Sequence, residues 1–172
     1  MLLLLSLNSQ AHIILEPQSA MAGEYVKLVF RVPHGCNGSA TTAITVQLPD
    51  DVMLVKPQVH PGWKISSKKV KLTKPVHVHG KKVSESLFEV TWNGGSLSDE
   101  QMDEFGMSLQ LPDRPGEQLR FPVTQKCKRG KLKWTEAVTE QNPHGTKLPA
   151  PTLTLERKLE AAPEKKAEEK KD

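Results

Sequence analysis

Val26-Lys27-Leu28-Val29-Phe30-Arg31-Val32 alternates with a period of two. Val26, Leu28, Phe30 and Val32 fall on one side, Lys27, Val29 and Arg31 on the other, as in a half-buried β-strand whose successive side chains point to opposite faces. The same alternation recurs at Ile44, Val46, Leu48 and at Phe88, Val90, Trp92. Shorter apolar runs predict further strands over residues 13–15, 52–56, 63–66, 70–73, 107–111, 119–123, 132–137 and 153–155. Turn-forming groups separate them: Pro33-His34-Gly35, Pro61-Gly62, Asn93-Gly94-Gly95, Pro115-Gly116 and Arg129-Gly130. Many short strands with turns between them indicate an all-β sandwich. The one helix-like stretch is 98–103, where Ser98 is a cap and Gln101 completes a capping-box pattern; it predicts one or two helical turns.

At 172 residues the chain has the length of a single domain able to bury a core. From about Glu156 the apolar pattern ends, and low-complexity Lys, Glu and Ala predict a charged, disordered tail over 157–172. Six basic and six acidic residues balance between Glu156 and Asp172, so the formal charge of +4 belongs to the folded part. Lys68-Lys69-Val70-Lys71 and the basic run from Lys126 to Lys133 alternate with apolar residues, as solvated strand faces do. With three Trp, one Tyr and four Phe in all, the chain lacks the interleaved aromatics of a nucleic-acid surface. There is no C-terminal hydrophobic segment, so no membrane anchor is expected in this chain.

At the other end, Met1-Leu2-Leu3-Leu4-Leu5-Ser6-Leu7-Asn8-Ser9-Gln10-Ala11 reads as the apolar region and small-residue cleavage site of a signal peptide. No Lys or Arg precedes the leucines, so the leader is expected to be truncated, with its start codon upstream. The alternative is a frayed leader on a cytosolic chain. Cleavage after Ala11 makes His12 the mature N-terminus, with a free α-amine beside an imidazole. Both kinds of nitrogen shed protons near neutral pH and together close a chelate ring, for which Cu(II), with its taste for nitrogen donors in a tetragonal plane, is the best-suited ion.

Catalytic signatures are missing: no Gly-x-Ser-x-Gly, no phosphate-cradling glycine loop, no His-Glu-x-x-His. The histidines are the candidate chemistry: His12, His34, His60, His77, His79 and His144. His77-x-His79 puts two imidazoles on one strand face, but among Lys74, Lys81 and Lys82 they read as surface residues. His34 sits in a sharp turn at the end of a strong strand, where the plain alternative is an imidazole bonded to a loop carbonyl. Cys36 and Cys127 have no Cys-x-x-Cys spacing. In an exported chain they are expected to form one disulfide closing a loop of roughly 90 residues; the other reading is a free Cys36 that ligates copper.

The pattern His12-Ile13-Ile14-Leu15-Glu16-Pro17, Ala22-Gly23-Glu24-Tyr25, Arg31-Val32-Pro33-His34-Gly35-Cys36-x-Gly38-Ser39, Lys56-Pro57-x-x-x-Pro61-Gly62-Trp63 and Asp103-Glu104-Phe105-Gly106 resembles the YcnI-like family of exported copper-binding domains. Pro122-Val123-x-Gln125-x-Cys127, Gly130, Trp134 and Pro149-Ala150-Pro151-x-Leu153 extend the resemblance over residues 12–156. It implies an immunoglobulin-like β-sandwich that holds Cu(II) at the mature N-terminus. In the family the terminal histidine gives amine and ring nitrogen, a carboxylate follows the Val-Pro turn, and a late tryptophan lies close to the metal. His12 and Trp134 carry over. After Val32-Pro33 this chain has His34-Gly35-Cys36-Asn37 and no Glu, so His34 is the replacement candidate, with Glu24 or Glu104 as alternative carboxylates.

The function implied is a non-enzymatic periplasmic or secreted copper carrier that passes Cu(II) to another envelope copper protein, with Trp134 shielding the ion. Two alternatives stand beside it. A copper-dependent polysaccharide monooxygenase also uses an N-terminal histidine on a β-sandwich, but requires a second histidine, here His34 or His144, and an exposed aromatic platform. A metal-free immunoglobulin-like structural domain requires neither.

Overall fold

The computed structural model describes residues 12–78, 80–137 and 147–158, and every regular element among them is a β-strand. In chain order these are β1 (Ile14–Glu16), β2 (Ser19–Met21), β3 (Tyr25–Val32), β4 (Thr41–Gln47), β5 (Met53–Pro57), β6 (Lys64–Val78), β7 (Lys81–Leu97), β8 (Asp103–Gln110), β9 (Gln118–Arg120), β10 (Val123–Cys127), β11 (Lys131–Trp134) and β12 (Thr152–Glu156). A four-stranded sheet, β1-β3-β8-β5, and a five-stranded sheet, β11-β10-β4-β7-β6, enclose the core. A small third sheet, β2-β12-β9, joins that core through Leu119, Leu153 and Leu155. All pairings are antiparallel except β2 with β12.

The alternation of β3 does what its sequence predicts. Leu28, Phe30 and Val32 are wholly buried, and across the antiparallel register Phe30 stands opposite Phe105 and Leu28 opposite Met107, both also buried. From the facing sheet Ile44, Val46, Val90, Trp92 and Val123 close the core. Each such side chain contributes about 1.5–3 kcal/mol relative to exposure. Aromatic rings bridge the layers: Trp92 lies 5.6 Å from Phe105, and Phe30 5.8 Å from Phe121.

Three local expectations are corrected. The stretch 98–103 is a turn and not a helix: Ser98 accepts from the Gln101 amide at 3.2 Å, and Asp103 is already drawn into β8 opposite Val32. Pairing across the sheet leaves no residues for a second helical turn. Asn93-Gly94-Gly95 lies within β7, at an irregular step where Ala43 pairs with Asn93 and Thr41 with Leu97. A side chain on Gly95 would occupy the indole of Trp63, so glycine serves a close approach there and not a reversal. The strands expected over 63–66 and 70–73 are one strand, β6, because β7 pairs with it along its length. The predicted leader 1–11, His79 and His144 lie outside the described residues, as does the tail beyond Lys158.

Candidate metal centre

β3 ends at Val32, and Pro33-His34-Gly35-Cys36 leads to a reversal. Asn37 and Gly38 both take positive φ, 49° and 76°, the signature of a tight I′-type turn. The turn closes with Cys36 N–H donating to Ser39 O at 2.8 Å and Ser39 N–H to Cys36 O at 3.0 Å. Gly38 N–H donates to Asp99 Oδ2 at 2.9 Å, and Arg129 N–H to Ser39 Oγ at 2.9 Å. Cys36 and Cys127 form a disulfide, S–S 2.04 Å, which ties this loop to the end of β10. The free-thiol reading of Cys36 as a copper ligand is thereby overturned, since its sulfur is bonded to sulfur.

Behind the loop lies one buried polar side chain with unusual reach. Gln125, wholly buried on the core face of β10, donates through Nε2 to His34 O at 2.7 Å and to Thr41 Oγ1 at 2.8 Å. Its Oε1 accepts the indole N–H of Trp134 at 3.0 Å. Trp134, almost fully buried at the end of β11, packs edge-on to the imidazole of His12, with ring centroids 6.0 Å apart and planes at 66°. His12 itself is exposed, immediately ahead of β1. Because the indole N–H is committed to Gln125, Trp134 offers His12 only ring carbon. The structure thus brings His12 against Trp134 directly, and reaches His34 through the Gln125 amide.

The imidazole of His34 is half-buried and its Nδ1 donates to Gly35 O at 2.6 Å, the loop-carbonyl contact expected of a turn histidine. Glu24 is not brought to this end. It precedes β3, eight residues from Val32, which at ~3.4 Å per residue is on the order of 25 Å away, and it faces Lys158 at 3.8 Å. Glu104 stands in register with Arg31 and is engaged by its guanidinium at 3.4 Å, while Glu16 holds the other side of Arg31 at 2.7 Å. His77 is exposed on β6, opposite Lys82.

Sequence reasoning counted His60 among the candidate histidines but gave it no role. Its Nε2 meets Asp103 Oδ2 at 2.8 Å, and its ring packs against Phe105 at 4.9 Å and Trp63 at 6.0 Å. It also passed over Gln125 as a core residue, although the spacing Val123-x-Gln125-x-Cys127 puts all three on one face of the strand. Among the described residues no three His, Cys, Asp or Glu side chains gather as a metal cluster, and no helix is long and apolar enough to cross a membrane.

Comparison with known proteins agrees with this architecture. The chain is 26% identical over 146 residues to the copper-binding protein CutI of Bacillus subtilis (strain 168), covering 83% of this chain and 64% of that protein's length. It therefore spans less than two thirds of that relative. The crystal structure of an uncharacterized protein from Nocardia farcinica, described as having an immunoglobulin-like fold, superposes with a TM-score of 0.65 at 29% identity, over 84% of this chain and 98% of that one. The sandwich is accordingly immunoglobulin-like. Residues 12–155 match the family described as domain of unknown function DUF1775, and the chain belongs to that family, which its sequence resembles as YcnI-like.

Proposed function

We propose that this protein is an exported copper(II)-binding protein, a non-catalytic carrier or buffer in the periplasm or outside the cell, whose metal site is built on His12 as the mature N-terminus. The observation that carries the reading is the edge-on contact of an exposed His12 with the anchored indole of Trp134. The family match begins at His12, and a relative is a copper-binding protein. In the uncut chain the His12 nitrogen is an amide. Cleavage after Ala11 would turn it into an amine, and amine and ring nitrogen would then chelate one ion. His34 is the third donor we favour, its ring turning from Gly35 O toward the metal. Trp92 and Trp134 are buried and Trp63 is half-buried, which leaves no planar exposed indole to dock a polysaccharide and favours carriage over oxidation.

The test is a Cu(II) titration, followed by electron paramagnetic resonance, of protein beginning at His12, beside a control carrying one extra residue ahead of it. The expected result is one equivalent of copper with a nitrogen-rich tetragonal signal that the control lacks. Equal weak binding by both forms would return the chain to a metal-free structural role.

A further inference from the structure

In the pairing of β10 with β11, Trp134 stands opposite Val123. Gln125 is then its diagonal neighbour on the same face of the sheet, within reach of a long side chain. The direction of the Gln125 amide is fixed by its partners. An indole N–H can only donate, so Oε1 must face Trp134; a carbonyl can only accept, so Nε2 must face His34 O. The second N–H goes to Thr41 Oγ1 at 2.8 Å, and that hydroxyl lies 3.7 Å from Cys127 Sγ, one sulfur of the bridge to Cys36. One side chain therefore joins the indole beside His12, the main chain of His34 and, through Thr41, the disulfide that ties down the same loop.

The loop is held from its other side as well. A Cβ on Gly35 would lie 2.3 Å from Ser39 O and 2.9 Å from Asp99 Oδ1, so Gly35 is pressed against the turn that follows it. With His34 O bonded to Gln125 and Gly35 packed on Ser39, the movement left to the imidazole is rotation about its own side-chain bonds. A core that needed only stability would be served as well without this amide, because exchanging a buried donor and acceptor together for apolar groups of the same shape is nearly neutral. We infer that Gln125 is a positioning residue of the copper site. It touches no metal, but sets the Trp134 indole beside His12 and the backbone of His34 at once, and so raises the affinity for Cu(II). The inference rests on the copper reading proposed above. Groups that orient the immediate surroundings of a metal in this way change its affinity by roughly 10–100-fold when they are removed.

The experiment is a Cu(II) titration against glycine as competing chelator, with electron paramagnetic resonance of the loaded forms, below the unfolding midpoint of every protein used. Protein beginning at His12 is compared with Gln125→Met, Trp134→Phe and the two combined. Leu28→Ala, a cavity in the middle of β3 opposite Met107, lowers stability by packing alone and is the control for a weakened core. Gln125→Met is expected to weaken Cu(II) binding on the order of tenfold and to change the copper hyperfine splitting, and Leu28→Ala to do neither. Because Gln125 acts partly through the indole, the double variant is expected to lose less than the product of the two single losses. Parent affinity and spectrum in Gln125→Met, an equal loss in Leu28→Ala, or single losses that multiply would overturn the inference and leave the copper reading standing. A parent protein without a signal that depends on the free His12 amine would overturn the copper reading, and this inference with it.

Discussion

A glutamine amide buried under a β-sandwich is tolerated only when each of its polar atoms is bonded, because an orphaned buried donor or acceptor costs roughly 1–3 kcal/mol. Gln125 meets that condition through the Trp134 indole, the His34 carbonyl and the Thr41 hydroxyl, and no buried side-chain polar atom among the described residues is left unpaired. Gln125→Met keeps the volume and removes all three bonds. It is expected to lower stability by about 2–4 kcal/mol, read as a lower urea midpoint, and to change the emission of Trp134, whose N–H loses its acceptor. An unchanged midpoint with unchanged emission would show that the amide neither stabilises the core nor sets the indole beside His12. Both readouts are taken without copper, so they stand apart from the metal hypothesis.

At the scale of elements, the disulfide joins the β3–β4 connection to β10 across 91 positions of sequence. A cross-link of that span restricts the unfolded chain by about 4–5 kcal/mol on the chain-entropy model. The double variant C36A/C127A is therefore expected to lose stability of that order while keeping its far-ultraviolet circular dichroism, since the core strands do not pass through the bridge. A loss below about 1 kcal/mol would mean that the unfolded chain is already restricted there. The pairing was legible as one of two readings, because two cysteines in an exported chain point to a bridge but not to its geometry. The core strands were more legible: Leu28, Phe30 and Val32 declare their face by local alternation, and the face of a strand is a local property. What escaped was set from a distance. Asn93-Gly94-Gly95 carries every local sign of a turn, yet the indole of Trp63 claims the space beside Gly95. Ser98 carries a cap signature, yet Asp103 is taken into β8. The candidate site divides the same way. His12 and Trp134 were readable through resemblance, whereas the amide that anchors the indole was hidden because a glutamine in a strand reads as solvent-facing until its neighbours Val123 and Cys127 are seen to be buried.

Over the whole molecule, the proposed copper site spans the two layers of the sandwich. His12 leads into β1 of the four-stranded sheet, and Trp134 ends β11 at the edge of the five-stranded one. Unfolding separates the layers and disperses any third donor from the opposite side, so metal held there by the native state alone must stabilise the entire domain. A ligand at one hundred times its Kd that binds only the folded form adds about 2.7 kcal/mol. For a domain of this size each kcal/mol moves the melting midpoint by about 2–4 °C. Protein beginning at His12 is therefore expected to gain at most roughly 5–10 °C in Tm under such an excess of Cu(II), less by whatever copper the amine and imidazole of His12 still chelate in the unfolded chain, and a form with one extra residue ahead of His12 to gain almost nothing, since the added peptide bond abolishes the amine but leaves every other histidine in place. Scanning calorimetry of the two forms, with and without copper, reads the difference directly. An equal rise in both would place the stabilising metal elsewhere, at a donor such as the His60 and Asp103 pair that the extra residue does not touch.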